Sequence, residues 1–262
     1  MIALCFIVSY DSGCLSKEEI WKKWISEHKD KINIYVHYKN FNELSPFLKQ
    51  YAIPKDFIVD TNYFHMVPAY ISILNYAFHH NINNTHFCIL TESCIPIKSP
   101  NYFFDKIKSE NNKSIFKYGY ANWNVDMHRR SNLRKLPKHL QLMNDPWIIL
   151  SRNHVFLCIK FIKEHNIMFR TVCNGGIANE SIFAIILKVY GELDNVINKS
   201  SNLSDWSRME SSTSPHLFVS PTSDEIKFLK DNCDELTFFA RKFSSSFPDN
   251  IITMFWRLET KM

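Results

Sequence analysis

A glutamate at the start of an apolar helical stretch, directly behind a glycine pair, is placed to exchange protons at the rim of a cleft. In this chain that residue is Glu180, after Gly175-Gly176 and ahead of Ile182, Phe183, Ile186, Leu187 and Tyr190 at helical spacing. With Asn179 as the cap, the helix dipole would favour the ionised carboxylate. Its chemistry would then be that of a general base and not a general acid; the plainer reading is an acid that only complements the dipole. A second constellation is Phe238-Phe239-Ala240-Arg241-Lys242-Phe243, two cations between apolar flanks. A guanidinium fork suits a diphosphate and an ammonium adds a compact charge, although a solvated turn would look the same. Trp206 beside Asp205, and Trp123 within Ala121-Asn122-Trp123-Asn124, offer faces on which a sugar ring could stack, or they are core. The densest basic cluster is Arg129, Arg130, Arg134, Lys135, Lys138 and His139, which suits an anionic small molecule.

Several motifs are absent. No G-x-G-x-x-G or G-x-x-x-x-G-K-[ST] follows a strand, and G-x-S-x-G is missing, which removes dinucleotide and P-loop readings and weakens a hydrolase. There is no C-x-x-C and no Asp-x-Asp. The residues therefore predict no metal site and no cofactor, and any bound phosphates would have to be neutralised by side-chain cations.

The elements that must position these groups alternate in the first half. Residues 2–9 read as a buried strand, and Ser16 with Glu19 as a capping box opening a helix to residue 27. Strands over 31–37, 57–59 and 87–90 alternate with helices over 44–51, 67–79 and from Ser99-Pro100. Beyond these come a strand at 146–150, a helix at 152–164, the Glu180 helix, extended pieces at 204–208 and 215–219, a helix at 224–231 and a strand at 236–240. Alternation predicts an α/β fold, one domain with a mostly parallel twisted sheet flanked by helices. Ligands of such sheets sit at the carboxyl ends of the strands, which directs attention to Tyr10-Asp11, His37-Tyr38 and Thr91-Glu92-Ser93.

The chain has 262 residues, 45% hydrophobic and 22% charged, which excludes disordered, collagen-like and rod classes. Abundant Asn, Lys, Ile, Phe and Tyr with scarce Gly and Ala suggests an A/T-rich genome. A net charge of +5 with interleaved signs is too weak a footprint for nucleic acid. The odd count of 7 cysteines reads as free thiols in a reducing compartment. No segment reaches the ~18 apolar residues of a membrane span, and no signal peptide is recognisable, so a cytoplasmic protein is expected.

In family order, the pieces Ile34-Tyr35-Val36-His37, Leu90-Thr91-Glu92-Ser93-Cys94-Ile95-Pro96, Trp147-Ile148-Ile149-Leu150-Ser151-Arg152, Asn179-Glu180-Ser181, Asp205-Trp206-Ser207, Pro215-His216 and Phe239-Ala240-Arg241-Lys242-Phe243 resemble the core-2/I-branching β-1,6-N-acetylglucosaminyltransferase family (glycosyltransferase family 14), particularly its plant-like and giant-virus-like branch. The resemblance implies a single GT-A-like domain and an inverting, metal-independent transfer from a UDP-sugar to a glycan hydroxyl, most readily of N-acetylglucosamine. Transfer of xylose, glucose or galactose is the alternative, and a protein that binds glycans or nucleotide sugars without turnover is another. Glu180 matches the family's catalytic glutamate, with Asn179 where an aspartate commonly stands. Lys242, beside Arg241, matches the cationic diphosphate site; Lys227 or Lys230 could supply a second cation. Ser9, Tyr10, His37 and Glu92 fall on the nucleotide side, His37 where many animal members have aspartate. Trp206, Asp205, Trp123 and Arg130 fall on the acceptor side. Residues 1–110 would bind the nucleotide, and 111–262 the acceptor, with the catalytic residue. Relatives are usually Golgi-anchored with lumenal disulfides; a viral or cytosolic form fits this composition.

Overall fold

The computed structural model describes residues 1–9 and 13–258, so the expected nucleotide-side residue Tyr10 lies outside the described residues. In chain order the elements are β1 (Ile2–Ile7), α1 (Glu18–Ser26), β2 (Ile32–His37), α2 (Pro46–Lys49), α3 (Val67–His80), β3 (His86–Thr91), β4 (Ile95–Pro96) and α4 (Pro100–Ser109). Then follow β5 (Ser114–Ile115), β6 (Tyr118–Tyr120), β7 (Leu142–Asn144), β8 (Ile149–Ser151), α5 (Arg152–Glu164), α6 (Asn166–Cys173) and α7 (Ile182–Val189). The last are β9 (Val196–Ile197), β10 (Asn202–Ser204), α8 (Ser223–Asn232), β11 (Phe239–Arg241) and α9 (Asp249–Leu258).

A six-stranded sheet in the order β2-β1-β3-β8-β5-β9 carries the fold. β1 pairs in parallel with β2 and β3, and β5 with β9; β8 runs antiparallel to both of its neighbours. The sheet is thus mostly parallel, as expected, and it draws strands from both halves of the chain. Along β1, Ile2, Leu4 and Phe6 enter one apolar cluster while Ala3, Cys5 and Ile7 enter another. Burial on both faces explains why this strand reads as an unbroken apolar run. One cluster includes buried residues of α1 and α4, and the other those of α3, α5 and α7. A smaller sheet, β10-β11-β4, and a hairpin, β6-β7, complete the strands. All seven cysteines are free, and no helix of the described residues is long and apolar enough to cross a membrane.

Three local expectations are corrected. Residues 57–59 form no strand: the Val59 N–H donates to His37 Nε2 (3.1 Å) and the Phe57 carbonyl accepts from Ser72 Oγ (2.5 Å), so side chains satisfy this backbone in place of a ladder. The Ser16–Glu19 capping box does not form. Lys17 is the cap residue in a left-handed conformation, and the Ser16 N–H is spent on the Glu92 carbonyl (2.7 Å). Asn179 does not cap α7, for a reason given below. Two helices, α6 and α9, have no counterpart in the sequence reading; Trp256 anchors α9 by donating from Nε1 to the Pro96 carbonyl (3.1 Å).

Candidate active site

Glu180 ends a single 3-10 turn, Ala178–Glu180, that precedes α7. The buried Asn144, at the end of β7, donates from Nδ2 to the Asn179 carbonyl (2.9 Å) and accepts at Oδ1 from the Ala184 N–H (3.1 Å). Ala184 belongs to the first turn of α7, so a remote asparagine satisfies one of the amides left open at the start of this helix, which begins at Ile182, beyond the reach of a cap at Asn179. Asn179 itself is buried within the turn.

The backbone around this turn sits in sparsely populated conformations. Ile177 has φ +59°, a rare value for a β-branched residue, and Ser131 and Asn132 have φ +54° and +49°. These positions lock together: the Ser131 N–H donates to the Gly176 carbonyl (2.9 Å), and Ser131 Oγ to the Ile177 carbonyl (3.3 Å). Gly175 permits the approach. A Cβ there would lie 2.3 Å from the Asn132 nitrogen and 2.7 Å from the Arg129 carbonyl oxygen. Backbone of this kind persists where its surroundings over-determine it, and it gathers at functional sites.

The same contact brings the Arg129–Lys135 loop to Glu180. Arg130 Nη2 forms an ion pair with Glu180 Oε2, and the Arg130 guanidinium lies 4.2 Å over the Trp123 ring. Burial lowers the Arg130 pKa, with the field of Tyr63 acting the other way; arginine starts so high that it stays cationic. Sequence reading named Trp123, Arg130 and Glu180 separately, and the structure joins them in one stacked, ion-paired unit. An open cleft of about 840 Å³ lies beside it, walled in part by Tyr63, Phe64, Arg129, Asn132 and Gly176.

A second group lies at the carboxyl ends of β1, β2 and β3. Ser9 Oγ donates to Glu92 Oε1 (2.8 Å). His37 is buried, which lowers its pKa to about 4 and keeps the ring neutral. Its Nε2 accepts from Val59, so Nδ1 carries the hydrogen, and that buried nitrogen meets no partner among the described residues. Arg241, the last residue of β11, donates from Nε to Ser93 Oγ (3.0 Å) and stacks 4.4 Å over Trp147. Lys242 Nζ reaches Ser214 Oγ (3.1 Å). Neither cation forms an ion pair with a described residue. Burial lowers the pKa of both; the Arg241 charge lowers that of Lys242 further, and the field of Glu92 raises both. The field of Tyr63 acts on Arg241 as well as on Arg130.

The remaining sequence-predicted residues are placed differently. Asp205 is buried, and its carboxylate is consumed locally: Oδ1 accepts from Ser207 N–H (2.9 Å) and Ser207 Oγ (2.6 Å), and Oδ2 from Arg208 Nε (2.6 Å). It shapes the loop that presents Trp206, which is 44% exposed. Because Ser204 of β10 pairs with Arg241 of β11, Trp206 emerges two residues beyond the strand position of that cation. Lys227 is neutralised by Asp231, one helical turn on, and Lys230 is exposed on α8. Asn144, Ser131 and Tyr63 were not signalled by sequence. Nothing in their local pattern marks them, because their roles come from contacts with segments distant in sequence. Among the described residues no cluster of three His, Cys, Asp or Glu side chains could hold a metal ion.

These features define an α/β domain with polar groups gathered at the carboxyl ends of its parallel strands. A family profile described as Core-2/I-Branching enzyme matches residues 3–230. The chain belongs to that family and is a glycosyltransferase, with a sugar donor and an acceptor. Comparison with curated protein sequences gives no match. Among solved structures the chain is similar to the galactosyltransferase LgtC in complex with donor and acceptor sugar analogs, at 13% identity, 92% coverage of this chain, 87% of that chain and a TM-score of 0.38.

Proposed function

We propose that this glycosyltransferase is inverting and moves N-acetylglucosamine from UDP to a glycan hydroxyl, with Glu180 as the base. A single observation carries the assignment of the base. Arg130 holds Glu180 through Oε2, while Oε1 has no hydrogen bond to a described residue. A carboxylate oriented through one oxygen keeps the other for the acceptor hydroxyl.

The acceptor oxygen attacks the anomeric carbon as Oε1 takes its proton. The carbon–oxygen bond to UDP breaks with its electron pair going to the diphosphate, and the sugar carbon passes through oxocarbenium-like charge. Arg241 and Lys242, which form no ion pair with a described residue, receive the growing negative charge without first releasing a described carboxylate. One base without a second nucleophile suits single displacement and inversion. Ser9, Glu92 and the Nδ1–H of His37, which has no partner among the described residues, provide donors and an acceptor for the nucleoside, and Trp123 and Trp206 offer faces to the acceptor. The choice of N-acetylglucosamine rests on the motif resemblance.

Transfer from UDP-N-acetylglucosamine to an oligosaccharide panel tests this reading. Glu180→Gln should lower kcat by roughly 10²–10⁴, the usual contribution of a general base, with UDP affinity retained. Turnover within about tenfold of wild type removes Glu180 from the role. Run in EDTA, the wild-type reaction should persist; loss of activity that Mn²⁺ alone restores would show a metal sharing the diphosphate with the two cations.

A further inference from the structure

The cleft beside Glu180 carries more positive charge than a neutral sugar needs. Its wall includes Arg129, Arg134 and Lys135, all exposed, and none forms an ion pair with a described residue. The acids nearest in sequence, Asp60 and Asp126, are not among the lining residues. Like charges repel, so three such cations converging on one concavity cost energy unless an anion joins them.

The cleft lining also carries aromatics. Tyr63 and Phe64 are 55% and 54% exposed and pack edge to face at 5.2 Å. Phe64 also lies against Gly176, where a Cβ would come within 3.1 Å of its ring. Exposed aromatics at the rim of a cleft mark a binding surface, and a ring face suits the C–H face of a sugar. At about 840 Å³ the cleft falls within the range that encloses a small ligand. Its position relative to the base is fixed by sequence: Arg129 lines it, and its neighbour Arg130 grips Glu180.

We propose, resting on the transferase reading above, that the acceptor is an acidic glycan. Arg129, Arg134 and Lys135 bind its carboxylate, sulfate or phosphate, Tyr63 and Phe64 stack on its rings, and its hydroxyl reaches Glu180. The donor diphosphate is assigned elsewhere because Arg241 and Lys242 are not in the cleft wall. A nucleic acid is disfavoured, since the charge is confined to one cleft on a chain of net +5.

The test measures binding by calorimetry, in the presence of UDP, for matched β-linked disaccharides ending in galactose, glucuronate, 6-sulfogalactose or 6-phosphogalactose. At about 50 mM salt at least one acidic member should bind at least about tenfold more tightly than the neutral one, and the advantage should shrink at about 500 mM as screening lengths fall. Comparison of the three acids identifies the group. In the double variant Arg134→Ala, Lys135→Ala the advantage should fall below about threefold, since both charges are solvent-facing and their loss leaves the core intact. Equal affinity for neutral and acidic members, or an unchanged preference in the double variant, overturns the proposal. So does tighter binding of a single-stranded oligonucleotide, or a loss of UDP affinity in the variant equal to its loss of acidic disaccharide. Failure of every disaccharide to bind overturns it too. UDP binding and transfer to a neutral acceptor would then leave the transferase reading standing, whereas their absence would take both down.

Discussion

Among the described residues two arginines hold their guanidinium over a tryptophan ring, and their surroundings give them opposite tasks. Arg130, 4.2 Å over Trp123, is matched by a carboxylate; Arg241, 4.4 Å over Trp147, is not. A guanidinium held over an aromatic face loses freedom, and its N–H groups are then aimed by their polar partners. For Arg130 that partner is Glu180. For Arg241, one edge nitrogen is held by Ser93 and the rest of the fork remains for an anion. Charged hydrogen bonds contribute ~1.5–3 kcal/mol each, and a leaving diphosphate gains charge in the transition state, so their loss should register in kcat as well as KM. Lys242→Ala should therefore reduce kcat/KM at least about tenfold, equivalent to ~1.4 kcal/mol. Arg241→Lys should also impair transfer, because an ammonium neither stacks as a plane nor bonds as a fork. Steady-state kinetics with folding checked by circular dichroism decide the matter; wild-type kcat/KM in both variants would leave the leaving group without these partners.

At the scale of elements, what the sequence revealed is what local chemistry controls. The limits of α5 were expected at residues 152–164 and are found there, with Ser151 accepting from the His154 N–H at the start. Ser99 likewise caps α4 as expected, ahead of Pro100. The misses have long-range causes: Val59 answers to His37 across 22 positions, and α7 is capped by Asn144 across 40. The loop behind Glu180 combines both kinds. Its glycine pair was legible, but the partner that requires Gly175, the backbone of Ser131 and Asn132, was not. This makes Gly175 a sharp test. Gly175→Ala forces a Cβ into backbone atoms at 2.3–2.7 Å, and backbone cannot swing aside as a side chain can. Overpacking of this type costs ~1–3 kcal/mol, and any relaxation moves Arg130 relative to Glu180. Gly119→Ala is the control, because nothing lies within 4 Å of its Cβ. Urea unfolding and kcat should both fall for the first and hardly change for the second; equal behaviour would mean that the two loops do not depend on their close approach.

The whole molecule shows why the α/β class was easier to foresee than the sheet's far edge. The parallel strands β1 and β3 hold near-continuous apolar runs and β2 an alternating one, whereas β5 and β9 are two residues each, too short for any periodicity to register. Burial on both sheet faces has a further consequence at this scale, for pH. His37, at the end of β2, and His86, at the start of β3, are buried, and burial lowers the pKa of each to about 4 from an ordinary 6.5. Burial lowers that of His154 as well, against the raising effect of Glu192. Between pH 4 and 6.5 the unfolded chain therefore binds more protons than the native one. Stability then rises with pH through this window, and it is lost as pH falls through it. Each histidine supplies a slope of up to ~1.4 kcal/mol per pH unit, so the pair can erode much of a typical ~5–15 kcal/mol. Asp205 and Asp234 have pKa values below their ordinary 3.8, despite opposing burial, because hydrogen bonds from Ser207, Arg208, Leu236 and Thr237 favour the charged form, so their contribution is lost at more acid pH. Asp145 runs the other way: burial raises its pKa, so its ionisation above 3.8 partly offsets the histidines. Urea unfolding at pH steps from about 7 to about 4.5 should show the decline, and His86→Gln should flatten it by roughly half while costing stability near neutrality. An undiminished slope in that variant would mean that burial of His86 is not among its sources.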